Sequence, residues 1–313
     1  MRRFLAWLLS VLFYGIYTLG VLVFLLWFLF PVESVKAWLE SRLDERGTTL
    51  AWEIGELRLA WPLSLVAEDV RAMDREDDYP LLLLDEVKLR PDAVSLAKLP
   101  DSWPLSYRVK TMGGVVRGGA ALARQDGGFL CSGEITGVRV ADMTGLWRQL
   151  GRSGSGTLSG TFRLRGRLPS PVVEGFEADF VVQDGSMELL QPVFGLESLE
   201  FNRMRSEIVL AEGVVRVEKG KVDSTLFGVD FSGTITLADT IPGSGLDISG
   251  TFEPRPELLG SIREGAVQEL IKGQLKEGRL AFRLTDTVGA PGLVFEGVAG
   301  VIDGIIQGKG KEQ

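Results

Sequence analysis

The chain opens with an unbroken apolar run from Phe4 to Val32 that contains no charged residue. A helix rises about 1.5 Å per residue, so about 20 residues cross the roughly 30 Å hydrocarbon core of a bilayer. A cleaved secretory signal has a shorter apolar core of roughly 7–15 residues, followed by small residues at the cleavage site. This run instead ends on the bulky Trp27, Phe28 and Phe30. The pattern predicts an uncleaved signal-anchor helix.

The charges that flank this run leave two orientations open. Arg2 and Arg3 precede it and Glu33 follows it, but Lys36 and Arg42 also lie close behind it. Basic residues mark the cytoplasmic side, although long domains cross a membrane largely regardless of their charge. We expect residues 1–32 to form a cytoplasmic stub and a transmembrane anchor, with the rest of the chain outside. A cytoplasmic body on a reversed anchor is the alternative.

A short amphipathic helix is predicted directly behind the anchor. Val35, Trp38, Leu39 and Leu43 recur at helical spacing with charges between them, and Gly47 is a stop signal. The apolar face of this helix either rests on the membrane surface or covers the core of the following domain.

Beyond this helix, apolar positions alternate with polar ones, which is the period of a β-strand. A sheet of such strands is antiparallel, wetted on one side and apolar on the other. We therefore predict a mainly β fold: an elongated, curved antiparallel sheet with a few short helices, among them one capped by Asp142 and one starting at Pro256. We expect one set of alternating apolar side chains to line a shared groove: Phe162, Leu164, Val229, Phe231, Ile235, Leu237, Leu280 and Phe282.

Two features bear on how the sheet is divided and bent. The segment from Gly151 to Gly156 is rich in glycine and serine, so it either links two periplasmic segments, 33–150 and 151–313, or forms a wide loop in one continuous body. A faint repeat pairs serine with glycine in four predicted strands, at Ser132-Gly133, Ser159-Gly160, Ser232-Gly233 and Ser249-Gly250. Glycine within a strand suits a bend; the alternative is that the repeat reflects composition alone.

The composition leaves little catalytic chemistry. The chain has no histidine and only one cysteine, Cys131, so the commonest catalytic base and the common zinc ligand sets are absent. No phosphate-binding loop is present, and the net charge of −8 disfavours a nucleic-acid partner. We assign no catalytic, cofactor-binding or metal-binding residue and expect a protein that is not an enzyme.

Several segments, in order, resemble one family. They are Phe30-Pro-Val-Glu, Trp52-Glu-Ile-Gly-Glu-Leu-Arg-Leu, Leu83-Leu-Asp-Glu-Val-Lys-Leu-Arg-Pro, Gly156-Thr-Leu-Ser-Gly-Thr-Phe-Arg-Leu and Pro256-Glu-Leu-Leu. Together they resemble the AsmA-like envelope proteins and, most closely, the type II secretion system protein N family. The resemblance spans nearly the whole chain and rests on the order of the segments, because each of them alone is weak.

The resemblance implies a single-pass protein of the cell inner membrane, with its β-rich body in the periplasm, that serves the type II secretion system as an accessory component. Its expected partners are the lipid bilayer and other secretion components. The AsmA-like kinship implies a taco-shaped sheet whose apolar lining holds lipid acyl chains. A lipid-binding or lipid-transfer protein of the cell envelope is therefore the alternative function.

Overall fold

In the part of the chain that the computed structural model describes, fourteen strands form one curved, open antiparallel sheet, each strand pairing with its neighbours in sequence order. The described residues are 31–44, 50–61, 64–75, 79–91, 102–123, 127–167, 172–261, 273 and 278–296, with separate positions between 13 and 29. The strands are β1 Leu50–Ala60, β2 Ser64–Asp74, β3 Tyr79–Pro91, β4 Ser102–Thr111, β5 Gly114–Ala123, β6 Gly128–Arg139, β7 Gly154–Arg167, β8 Val172–Val193, β9 Leu196–Ala211, β10 Val214–Asp223, β11 Phe227–Thr236, β12 Gly245–Pro254, β13 Leu280–Asp286 and β14 Pro291–Phe295. The predicted mainly β, antiparallel sheet is confirmed.

Short helices join or flank the strands. They are α1 Val32–Asp44, a 3-10 turn Val140–Asp142, α2 Thr144–Leu150 and α3 Pro256–Ser261. The prediction that Asp142 caps a helix is wrong. Met143 is the N-cap of α2, and the carboxylate of Asp142 instead accepts a hydrogen bond from Arg139 Nε at 2.7 Å. The rest of the helix predicted to start at Pro256 lies almost wholly outside the described residues.

The predicted anchor falls only partly within the described residues. Residues 1–12 and several positions between 16 and 30 are outside them, and those described between 13 and 28 are helical. Within the described part of the chain, no helix combines the length and the apolar character needed to cross a bilayer. The transmembrane helix therefore stays a prediction.

The register of the sheet gives it two chemically distinct sides. Residues paired across antiparallel strands point to the same side. One such row runs from Tyr107 through Gly118, Gly133 and Phe162 to Ala178. A second row begins at Val217 and continues through partners of the same side in β11 to β14. We call the side that carries these residues the apolar face.

The opposite side, the charged face, carries ion pairs between neighbouring strands. In each pair the basic side chain is exposed, and its acidic partner is exposed or partly exposed, so each pair contributes about 1 kcal/mol or less to stability. They keep this side wetted and specify which strands pair, because opposite charges face each other across each ladder. The pairs include Arg58 with Glu68 (2.6 Å), Glu86 with Lys110 (3.2 Å), Arg117 with Glu134 (2.9 Å), Asp179 with Arg205 (2.6 Å), Glu207 with Lys219 (3.2 Å) and Asp247 with Arg283 (2.9 Å).

Helix α1 covers the first end of the apolar face. Its Val32, Val35 and Leu39 pack on a buried cluster formed by Ile54, Leu57 and Val70. Of the two readings of this helix, the one in which its apolar residues cover a core is therefore confirmed for Val35 and Leu39.

The other end is covered by the turn of the β8–β9 hairpin. Phe194 in this turn lies 5.4 Å from Phe252 in β12 and 5.0 Å from Phe295 in β14, measured between ring centroids. Beneath it lies a buried cluster of Phe227, Phe252, Leu258, Leu280 and Phe295. Because Phe194 belongs to β8–β9 and its partners to β12 and β14, the apolar face curls inward at this end.

The sheet continues through the glycine-rich segment at residues 151–156. Gly151, with φ of 62°, ends α2 in a left-handed conformation, and Gly154 already begins β7. Strand β7 pairs with β6 on one side and β8 on the other. Hydrogen bonds therefore connect the two proposed segments, while the division at residue 150 stays a prediction.

The covered end yields a stability prediction. Leu280 is 1% exposed, whereas Leu293 on the neighbouring strand is 38% exposed. We expect Leu280→Ala to lower the free energy of unfolding by about 2–5 kcal/mol through lost burial and a cavity. Leu293→Ala should lower it by about 1 kcal/mol or less. Urea titration of the full chain in detergent measures both; equal losses would contradict the assignment of the core to this end.

Candidate functional site

Between its two covered ends, the apolar face presents mostly half-buried side chains of β4 to β9, with Val138, Ala178 and Val182 buried among them. We call this part the central apolar face. Three phenylalanines form its aromatic stripe. The ring centroids of Phe162 and Phe176 lie 6.3 Å apart, and those of Phe176 and Phe180 lie 6.4 Å apart. All three side chains are partly exposed. Among the described residues, neither α1 nor the β8–β9 turn packs against this stripe.

Glycines on the same side make room for these rings. A Cβ added at Gly133 would overlap Tyr107 Oη and lie 3.0 Å from Phe162 Cε1. One added at Gly160 would lie 2.8 Å from Phe180 Cδ1. Aromatic rings that cover glycines on neighbouring strands are a known means of stabilising bent sheets. Gly133 and Gly160 belong to the serine–glycine repeat, so the repeat has a packing role at these two positions.

Tyr107 is the polar group of the central apolar face. Its hydroxyl donates a hydrogen bond to the backbone oxygen of Ser132 at 3.0 Å and lies 3.4 Å from Cys131 Sγ, which donates to it. Burial, reinforced by the Cys131 thiol, raises the pKa of Tyr107 above its ordinary value of about 10. The phenol therefore stays neutral at physiological pH and fits an apolar surface.

The structure places seven of the eight predicted groove residues on the apolar face. Phe162 and Leu164 lie on β7 in the central part. Val229, Phe231 and Ile235 lie on β11, opposite Val222, Gly220 and Val215 of β10 in that order. Their role as a groove lining stays a prediction.

The remaining predicted residues differ in exposure. Leu280 and Phe282 face the same side but belong to the cluster covered by Phe194, and Leu280 is fully buried. Leu237 follows the last residue of β11, is 47% exposed, and donates its amide hydrogen to Gly213 O at 2.9 Å. The alternation therefore found the correct side of the strand but did not separate covered positions from open ones.

Sequence reasoning missed Tyr107, Phe176 and Phe180. Phe176, Ala178 and Phe180 alternate with Glu177 and Asp179, so the period that identified Phe162 would also have identified this strand. Tyr107 and Val109 alternate with Arg108 and Lys110 in the same way, so the side of Tyr107 was predictable too, whereas its packing on glycines in two other strands was not.

The charged face holds an open depression of about 850 Å³ across β5 to β10. Its charged lining includes Arg117, Glu134, Glu177, Asp179 and Glu207, most of which belong to the cross-strand ion pairs. In the described part of the chain, no group of three or more acidic or cysteine side chains is placed to hold a metal ion. The depression is therefore a paired, solvated surface.

Comparisons with known proteins leave the fold and the geometry as the basis for a functional proposal. No protein-family model, no curated protein and no solved structure matches this chain.

Alanine substitutions at two adjacent glycines test the packing under Tyr107. A Cβ at Gly118 would overlap the backbone oxygen of Ser132 and lie 2.6 Å from Tyr107 Oη, whereas one at Gly119 would meet only Leu105 O at 3.6 Å. We expect Gly118→Ala to cost about 1–3 kcal/mol through overpacking. Gly119→Ala should be neutral or stabilise by up to about 1 kcal/mol, because it restricts the unfolded chain. Urea unfolding compares the two, and a shift of the same sign and size in both would refute this packing.

Proposed function

We propose that this chain is an inner-membrane-anchored periplasmic accessory component of the type II secretion system. The observation that carries the proposal is a single continuous sheet with one apolar and one ion-paired side, standing directly behind an apolar helical segment. This is the arrangement that the resemblance to the protein N family implies. The segments that carry that resemblance fall, in chain order, on elements that include β1, β3, β7 and α3.

The residues before α1 support the anchor. Between 13 and 29 the described large apolar side chains are exposed, among them Phe13 at 68%, Phe24 at 58% and Phe28 at 72%. Exposed phenylalanines in this number are costly in water, and a bilayer would cover them. A helix that holds the sheet at a membrane also raises its effective concentration near membrane partners.

Deletion of the gene in the native host tests this function. We expect less exoprotein in the medium and more in the periplasm, with export across the inner membrane unchanged, because an accessory part acts at the outer-membrane step. Complementation with a form whose anchor is replaced by a cleavable signal peptide should restore secretion only in part. Normal secretion in the deletion strain would refute the proposed function.

A lipid-binding function is the second candidate. It is favoured by the central apolar face, whose aromatic stripe neither α1 nor the β8–β9 turn covers in the described part of the chain. Its aromatic stripe and the neighbouring aliphatic side chains offer a long, weakly polar surface. Monomeric soluble proteins rarely expose such patches without a partner. Acyl chains suit this surface because they need no hydrogen-bonding partner and gain about 0.8 kcal/mol per buried methylene.

Photocrosslinking from the two faces tests this second candidate in the full chain. Phe162 and Arg163 are adjacent in β7 and point to opposite sides of the sheet. With a benzophenone amino acid at either position in living cells, we expect lipid adducts from position 162 and few or none from 163. Mass spectrometry of the purified protein detects them. Adducts of equal yield at both positions, or none at 162, would exclude a lipid-lined face.

A further inference from the structure

Two tryptophans are exposed near the start of the sheet. Trp61, in the turn after β1, is 76% exposed, the highest value for a large hydrophobic side chain in the described part of the chain. Trp38 in α1 is 58% exposed, although its helical neighbours Val35 and Leu39 pack on the sheet. Tryptophan is normally largely buried in water-soluble proteins, so an indole as exposed as that of Trp61 needs an explanation.

Helix α1 lies beside the middle of β1. Glu40 Oε1 accepts from the amide of Ile54 at 3.0 Å, and Lys36 Nζ donates to Gly55 O at 3.0 Å. Only residues 45–49 separate Asp44 from Leu50, and a link of this length spans at most about 20 Å, so the end of α1 lies near the start of β1. The first turn of α1 therefore lies toward the end of β1, where Trp61 follows.

The edge of the sheet at which β1 ends is also the one next to the predicted anchor. The amide of Val35 donates to Pro31 O at 3.0 Å, so α1 begins directly behind the apolar helical residues. The predicted anchor and the first turn of α1 thus lie toward the end of β1 that Trp61 follows.

Among the described residues, the outermost rows at this end carry charges of one sign, and one of these, Arg58, is paired with Glu68 further in. The terminal rows of β1 to β4 comprise the described residues 57–61, 64–67, 87–91 and 102–109, and none of these is acidic. The register aligns Lys88 with Arg108, and Arg90 with Ser106 one row further out. The basic side chains of these rows are Arg58, Lys88, Arg90 and Arg108.

We propose that this end of the sheet rests on the bilayer, with Trp61 in the headgroup layer and the basic rows against anionic phospholipid headgroups. The inference rests on the proposed anchor. Trp38 lies beside the middle of β1, between the residues of α1 that contact Ile54 and Gly55, and is not part of this contact. Indole rings concentrate at membrane–water interfaces because they are apolar with one polar N–H, and basic residues near a membrane are attracted to anionic lipid. The anchor, the Trp61 indole and the charge therefore favour the same partner at the same end of the strands.

Fluorescence quenching in nanodiscs of equal parts phosphatidylcholine and phosphatidylglycerol tests the inference with the full chain. A Cys131→Ala background removes the native thiol, and an NBD fluorophore is attached after Trp61→Cys, Thr144→Cys or Tyr17→Cys. Thr144 is the matched control: it is exposed and starts α2, whose Gly145 lies against Leu81 at the opposite end of β3 from Arg90. Tyr17 reports on the anchor.

We expect lipids with a headgroup nitroxide to quench the label at 61 several-fold more than the label at 144. Nitroxides on the acyl chains should quench the label at 17. Quenching at 17 with equal quenching at 61 and 144 would overturn the surface contact while the anchor stands. No quenching at 17 would overturn the anchor and this inference together.

Discussion

A sheet of one layer has no second layer to cover its apolar side, and this constraint governs the structure described here. A flat sheet would leave every apolar row in water, so the sheet must bend or be capped. Both solutions are present. Helix α1 caps one end through Val35 and Leu39, and Phe194 folds the hairpin turn over the other. Buried clusters therefore lie at both ends of the sheet, and separate buried side chains such as Val138 and Val182 lie between them.

The bend needs small residues where strands approach and tight turns where they reverse. Three hairpins reverse in two residues, at Met112–Gly113, Phe194–Gly195 and Glu212–Gly213, and both residues of each turn have positive φ. Such turns match the right-handed twist of the strands, so the sheet keeps its pairing through long hairpins such as β8–β9. Glycines under Tyr107 and Phe180 then permit curvature in the middle of strands that turns alone cannot provide.

Most of the sheet was predictable because period-two alternation is a local property. The pattern at Phe162 and Leu164 found the correct side of β7, and the same rule applied to Phe176 and Phe180 would have extended it. Which apolar side chains are covered by other elements was not predictable, because that depends on contacts between residues far apart in the sequence. Leu280 and Ile235 look alike in sequence, yet only Leu280 lies beneath the Phe194 turn. Asp142 does not cap α2, and its carboxylate binds Arg139 instead. Helix-capping propensity alone does not take such a partner into account.

The separation of covered ends from an open middle has a consequence for function. Side chains such as Phe162 are only half-buried, so their hydrophobic contribution to folding is smaller than that of Phe227 or Leu258, which are each 1% exposed. A surface that contributes little to folding is free to exchange one apolar neighbour for another without unfolding the chain. The ion pairs of the opposite face keep that side wetted. An apolar ligand would therefore gain contacts from one side of the sheet only, the side on which α1 packs at the first strands.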